Sequence, residues 1–174
     1  MQNKYIRPLR LAGLMIPIAA IGGVFTIVYT LDGYTPAARQ AFVAASGGYV
    51  TLFIAGALQA VILTALCAFF GSILSDKIGL MRPFAFHKKA LAVTAIAALF
   101  AGILFGLDYW LFGGKIPGLA DTYKVATTFT SFMSAIFYGG IVEEVLMRLF
   151  LMSLFAFLLW KLFVRHRDKK HIPK

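Results

Sequence analysis

The feature that most limits how this chain can fold is the length of its charge-free runs. Leu11 to Leu31 is 21 residues without Asp, Glu, Lys or Arg, and Gln40 to Ser75 is 36. Ala90 to Phe112 carries one charge, Asp108, in its last turn, and Val125 to Trp160 carries three, Glu143, Glu144 and Arg148. About 20 apolar residues cross the roughly 30 Å hydrocarbon core of a bilayer as a helix. These runs are too long for ordinary soluble cores. A composition of 60% hydrophobic and 14% charged residues, with mean hydropathy +0.83, agrees, since soluble domains carry about 25% charged residues. The expected fold class is therefore all-α, a polytopic helical membrane protein with about four transmembrane helices plus a helical lead-in to the last. A single transmembrane domain is expected over residues 1–174, with spans at about 11–31, 49–74, 90–112 and 141–163.

The net charge of +10 would suggest nucleic acid in a soluble protein, but here the bases sit in short segments between apolar runs. That is how a bilayer protein records its orientation, and no base-reading motif accompanies it, so no nucleic-acid partner is expected. With four spans, 13 Lys and Arg fall on one side and only Arg39, Lys115 and Lys124 on the other. The positive-inside rule then puts both termini in the cytoplasm of a multi-pass cell-membrane protein. Splitting the last region into two spans at Glu143 would leave seven bases against nine, which is disfavoured. A basic start before an apolar run also opens a secretory signal, but 21 residues exceed the usual h-region of about 7–15. The first run is read as a retained helix, with cleavage near Ala37-Ala38 as the competing reading.

Along the chain, Pro17 and Gly22-Gly23 are expected to kink or loosen the first span, and Asp32, Gly33 and Pro36 end it. Ala41 to Ser46 reads as a short lead-in or interfacial turn. Gln59 reads as a helix–helix hydrogen bond and Cys67 as inert packing. Asp76 to Lys89 forms a basic loop in which Phe84-Ala85-Phe86 suits an amphipathic stretch on the headgroups, and His87 reads as a solvated loop histidine. Asp108, Tyr109 and Trp110 suit an interfacial belt, and Gly113 to Gly118 a loop without phosphate-binding spacing. The six bases after Trp160 suit a stop-transfer anchor against anionic lipid.

The last region is the ambiguous one. As one straight helix its 36 residues would reach roughly 54 Å. A helical lead-in over residues 122–138, a weak point at Gly139-Gly140 and a main span from Ile141 resolve the excess. The chain's only two glutamates lie here, adjacent at Glu143 and Glu144. Each charge at a helix centre costs on the order of 2.5–3.5 kcal/mol on insertion scales, so something has to offset it. On an α-helix Glu144 and Arg148 form an i,i+4 pair with the acid on the N-terminal side, the better orientation. Glu143 points roughly 140° away from Arg148 about the axis, so it is expected to be free. A carboxylate kept from water and left without a partner is suited to taking a proton from a water molecule. The plainer reading makes both glutamates a solvated helix start at the membrane surface. Glu143 stands roughly 27 Å from Lys161 along the helix, inside the bilayer only if tilt or the lead-in carries it there.

Glu-Glu-x-x-x-Arg on a hydrophobic helix, led in by small residues, resembles the first motif of the CAAX-protease and bacteriocin-processing (CPBP, or ABI) family of intramembrane proteases. The resemblance rests on Glu143, Glu144 and Arg148. It implies a membrane endopeptidase in which Glu143 activates a water while Glu144 and Arg148 hold the helix and the local field, acting on membrane-associated peptides or proteins. It also implies Phe-x-x-x-His and His-x-x-x-Asn motifs on later helices, and His87, His166 and His171 fit neither. The resemblance therefore implies an N-terminal portion lacking the later histidine motifs, or a degenerate member, inactive as the 174-residue chain. No cofactor or metal is expected in this chain, with zinc reserved for a complete family member; Zn²⁺-assisted hydrolysis and a water activated by glutamate and histidine both fit the resemblance. A non-enzymatic membrane protein, either a transporter or channel component or a bacteriocin-immunity-type binding protein, is the alternative, because intramembrane Glu and Arg are equally at home there.

The charge asymmetry makes a direct prediction. Tags placed before Lys4 and after Lys174 are both protected from a membrane-impermeant reagent in intact cells and both become reactive once the membrane is opened.

Overall fold

The computed structural model describes residues 5–81, 87–113, 115–116 and 128–164, and among these no strand occurs. The protein is all-helical, and four of its helices are long and apolar enough to cross a membrane. They are α1 (Ile6–Asp32), α3 (Tyr49–Lys77), α4 (Lys88–Phe112) and α5 (Phe129–Phe163), with a shorter α2 (Pro36–Ala45) after α1. By Cα proximity the chain forms two compact units, Met1–Arg82 with Thr128–Lys174, and Pro83–Thr127.

In the first unit α1 packs on both α3 and α5, and its small residues explain how. Helices gain little from the hydrophobic effect inside a bilayer and depend on close packing, which small side chains permit. A Cβ added to Gly23 would strike the Gly56 carbonyl oxygen of α3, and one added to Gly56 would strike the Ile27 side chain. On α1's other flank a Cβ at Gly22 would come within 3.2 Å of the Phe137 backbone of α5. Gly22-Gly23 therefore does not loosen the first span, as its composition suggested. The helix runs unbroken through Pro17 and both glycines, and the glycines are where two neighbours approach. Gly71 does the same between α3 and α5, where a Cβ would lie 2.8 Å from the Leu149 carbonyl oxygen.

These contacts set the directions of the helices. From α1 to α3, Leu31 clusters with Leu52, Ala19 with Ala60, and Arg7 pairs with Asp76 at 3.7 Å, an antiparallel order. From α1 to α5, Thr130 Oγ1 donates to Asp32 at 3.1 Å, the Thr26 and Ser134 hydroxyls meet at 3.1 Å, and Ala19 meets Val142, again antiparallel. Thus α3 and α5 run the same way.

The end holding Asp32 is fastened by α2. Thr35 caps it, accepting from the Ala38 backbone N–H at 3.4 Å, and Pro36 sits in its first turn, where a missing N–H costs nothing. Ala41 to Ser46, read as a short lead-in or interfacial turn, is mostly the second half of this helix. Val43 is buried with Leu31 and Leu52, and Arg39 pairs with Asp32 at 3.6 Å. Gly47 and Gly48, at φ +79° and +100°, make the reversal into α3 that other residues rarely adopt.

α5 is one continuous helix through the expected weak point. Gly139-Gly140 falls inside a π-helical stretch, Ala135–Val142, and a second follows at Val145–Met152. The π turn closes i to i+5 and fits more residues into each turn. Ser131 and Thr128 form a capping box at its start. The part of the lead-in expected before Thr128 lies outside the described residues, as do Phe84-Ala85-Phe86 and the basic tail beyond Val164. In the second unit α4 is a 25-residue apolar helix preceded by an exposed His87, and Trp110 near its end is 85% exposed.

Gly23→Val and Gly56→Val are expected to destabilise the first unit by about 1–3 kcal/mol, the usual cost of overpacking. Gly13→Ala, whose added methyl meets nothing within 4 Å, is expected to be neutral. Reversible unfolding in mixed micelles of mild and denaturing detergent measures all three.

Candidate functional site

The height of the acidic motif follows from one buried contact. Val142 is fully buried against Ala19 and Ala60, with Tyr138, Leu146 and Val61 around them. Ala19 is the central residue of the 27-residue α1. Glu143 and Glu144 come next in the chain, so they stand at about mid-height of a unit whose helices are long enough to cross the bilayer. Both side chains, and that of Arg148, lie on the outer surface of the helix group. Outer surface at this height faces hydrocarbon or another protein segment when the unit spans the membrane.

Glu144 and Arg148 make the ion pair that their spacing predicts, Nε to Oε2 at 2.8 Å. Their side chains are 48% and 75% exposed, so the pair is open on one side. Glu143 has no ion pair or hydrogen bond among the described residues, and its Oε2 lies 3.9 Å from where a Cβ on Gly139 would stand. Side chains on a helix lean toward its N-terminus, so this carboxylate folds back over the preceding turn, and the missing side chain at Gly139 leaves it room. The π turns reduce the angle that α spacing puts between Glu143 and Arg148. The guanidinium nonetheless goes to Glu144.

Glu144 and Arg148 also line a groove of about 430 Å³ within the first unit, which the acidic motif alone did not reveal. Three methionines are among the residues lining it, Met15 from α1, Met81 just beyond α3 and Met152 from α5. Methionine is unbranched and polarisable, and it adapts to varied apolar surfaces. The hydroxyl-bearing Ser75 and Ser153, 4% and 2% exposed, also line it. The groove is thus mostly apolar with a charged pair along one wall, a form suited to a segment that is apolar with a polar backbone or head. Glu143 is not among its lining residues. In the sequence the three methionines are far apart, and only the antiparallel order of α1 against α5 brings them together.

Among the described residues no three His, Cys, Asp or Glu side chains converge as metal ligands would. Cys67 is buried within α3, consistent with packing. No protein-family model, curated protein or solved structure matches the chain.

The pair can be weighed by a double-mutant cycle on Glu144→Gln and Arg148→Met, read as unfolding free energy. A solvent-exposed i,i+4 pair couples by about 0.3–0.5 kcal/mol. A pair held at mid-bilayer is expected to couple by more than that, and a value inside the aqueous range would place the motif in water.

Proposed function

We propose that this protein is an intramembrane endopeptidase of the CPBP type, with Glu143 as the general base and the Glu144–Arg148 pair shaping the field beside it. The observation that carries the reading is the unequal treatment of two adjacent carboxylates. One is spent on an arginine at 2.8 Å, and the other has no partner among the described residues. An acid held only for structure would be expected to have its charge met; an acid that has to accept a proton needs a free lone pair.

In this reading an extended, membrane-associated peptide or protein segment is the substrate, and the methionine-lined groove seats its apolar side chains. Glu143 takes a proton from a water molecule, whose oxygen bonds to the scissile carbonyl carbon. The C–N bond then breaks, and the proton on Glu143 passes to the departing amine. Arg148, already held by Glu144, is placed to polarise the substrate backbone along the groove. His87 lies in the second unit, and His166 and His171 lie outside the described residues, so no histidine is given a role.

The groove also favours a second reading, a non-enzymatic binding protein, because the carboxylate that lines it is the paired one. Proteolysis distinguishes the two. With the protein produced from its full reading frame in proteoliposomes, cleavage of membrane-anchored reporter peptides is expected, and Glu143→Gln is expected to lower it at least 100-fold, the lower end of a general base's contribution. Binding of the same peptides without cleavage, undiminished in Glu143→Gln, would select the binding protein.

A further inference from the structure

Two carboxylates lie one turn before Arg148, and it pairs with one of them. On an α-helix the choice would be forced, because Glu144 stands about 40° from the arginine around the axis and Glu143 about 140°. The helix is wider here. Val145–Met152 is π-helical, and a turn that closes i to i+5 advances by only about 80° per residue. At that pitch Arg148 stands about 40° from Glu144 on one side and about 40–60° from Glu143 on the other. The three groups belong to one stretch of one helix, so this spacing holds whatever packs around it. Glu143 has no partner among the described residues. Arg148 has 75% of its side chain exposed, so little packing ties it to one acid, and the 2.8 Å contact with Glu144 decides where the guanidinium goes.

We propose that Glu144 is a positioning residue whose hold on Arg148 keeps Glu143 unpaired, and that when Glu144 is neutralised or engaged elsewhere the guanidinium passes back to Glu143. The exchange needs little motion. A helical side chain leans toward the N-terminus, so Arg148 already reaches back over the turn that carries both acids. The absent side chain at Gly139 leaves the Glu143 carboxylate space to turn. Once bonded to a guanidinium, a carboxylate has its charge met and its lone pairs occupied, and it is a poorer acceptor of a water's proton. Glu144 lines the groove and Glu143 does not, so a cationic group in the groove that engages Glu144 turns Glu143 off. The effect on catalysis rests on the reading of Glu143 as the base; the exchange of partners does not.

A double-mutant cycle of Glu143→Gln and Arg148→Met on reversible unfolding in mixed micelles tests the exchange. With Glu144→Gln in the background, coupling between Glu143 and Arg148 is expected to strengthen by about twofold or more in the unfolding equilibrium constant, the strength of an ordinary one-turn ion pair. Coupling no stronger there than with Glu144 present would overturn the proposal. A second readout follows the carboxylate itself. Dicyclohexylcarbodiimide, an apolar reagent for protonated carboxyls, is expected to modify Glu143 at least twofold more slowly in Glu144→Gln than in the unaltered protein. The original rate is expected to return when Arg148→Met is added. If Glu144 only stabilises the helix, Glu143 is modified no more slowly in Glu144→Gln, and the proposal falls. Both readouts keep their meaning in a protein that cleaves nothing, a result that would count against the catalytic reading alone.

Discussion

The architecture of the first unit depends on how closely α1 approaches its two neighbours. In hydrocarbon there is little to gain from hiding one apolar surface against another, so contact has to come from packing density. Gly23 opens α1 to the backbone of α3, and Gly22, next in the turn, opens it to the backbone of α5. Adjacent glycines are about 100° apart around a helix, which is why one pair can serve two partners. Ala19, one turn earlier, continues both contacts and meets Ala60 and Val142. Replace these small residues with larger ones and α5 has no fixed height relative to α1.

That height is what gives the acidic motif its chemical interest. With Val142 packed against the centre of α1, the two glutamates cannot shift along α1 without breaking the buried cluster. A charge at mid-height of a membrane-spanning unit is costly, and Glu144 pairs with Arg148 one turn on. Glu143 is left with the space above Gly139. The same register that carries the acids to mid-height also brings Met15, Met81 and Met152 around a groove whose polar wall is the ion pair. Site and groove are thus two results of one helix alignment.

The opposite end shows a different means of fixing the fold. Asp32 takes Arg39 on one carboxylate oxygen and the Thr130 hydroxyl on the other, joining the end of α1 to α2 and to the start of α5. Arg39 also lies 5.9 Å from the centroid of the Tyr49 ring, at the start of α3. Directional polar contacts hold this end, whereas the middle is held by backbones in close approach.

Much of this was legible in the letters. Uncharged runs of 21 and 36 residues admit helices and little else in a bilayer, and an acid four residues ahead of a base on such a helix pairs with it wherever the helix lies. Those outcomes depend only on local spacing and on the thickness of the medium. Three things were not legible. Gly22-Gly23 reads as a flexible point because a missing side chain has no preferred structure of its own; what it means depends on which backbone comes to it. The height of Glu143 relative to α1 could not be had by measuring along α5, since the neighbouring helices set its position. That Gln59 is exposed, with no helix–helix hydrogen bond among the described residues, required knowing which side of α3 the other helices of its unit occupy. The sequence by itself determined the number and type of the membrane helices and the i,i+4 ion pair, because hydropathy and helix pitch act within one segment. Tertiary structure alone decided the height of the acids, the groove and the polar side chain left facing outward, because each depends on the register between segments far apart in the chain.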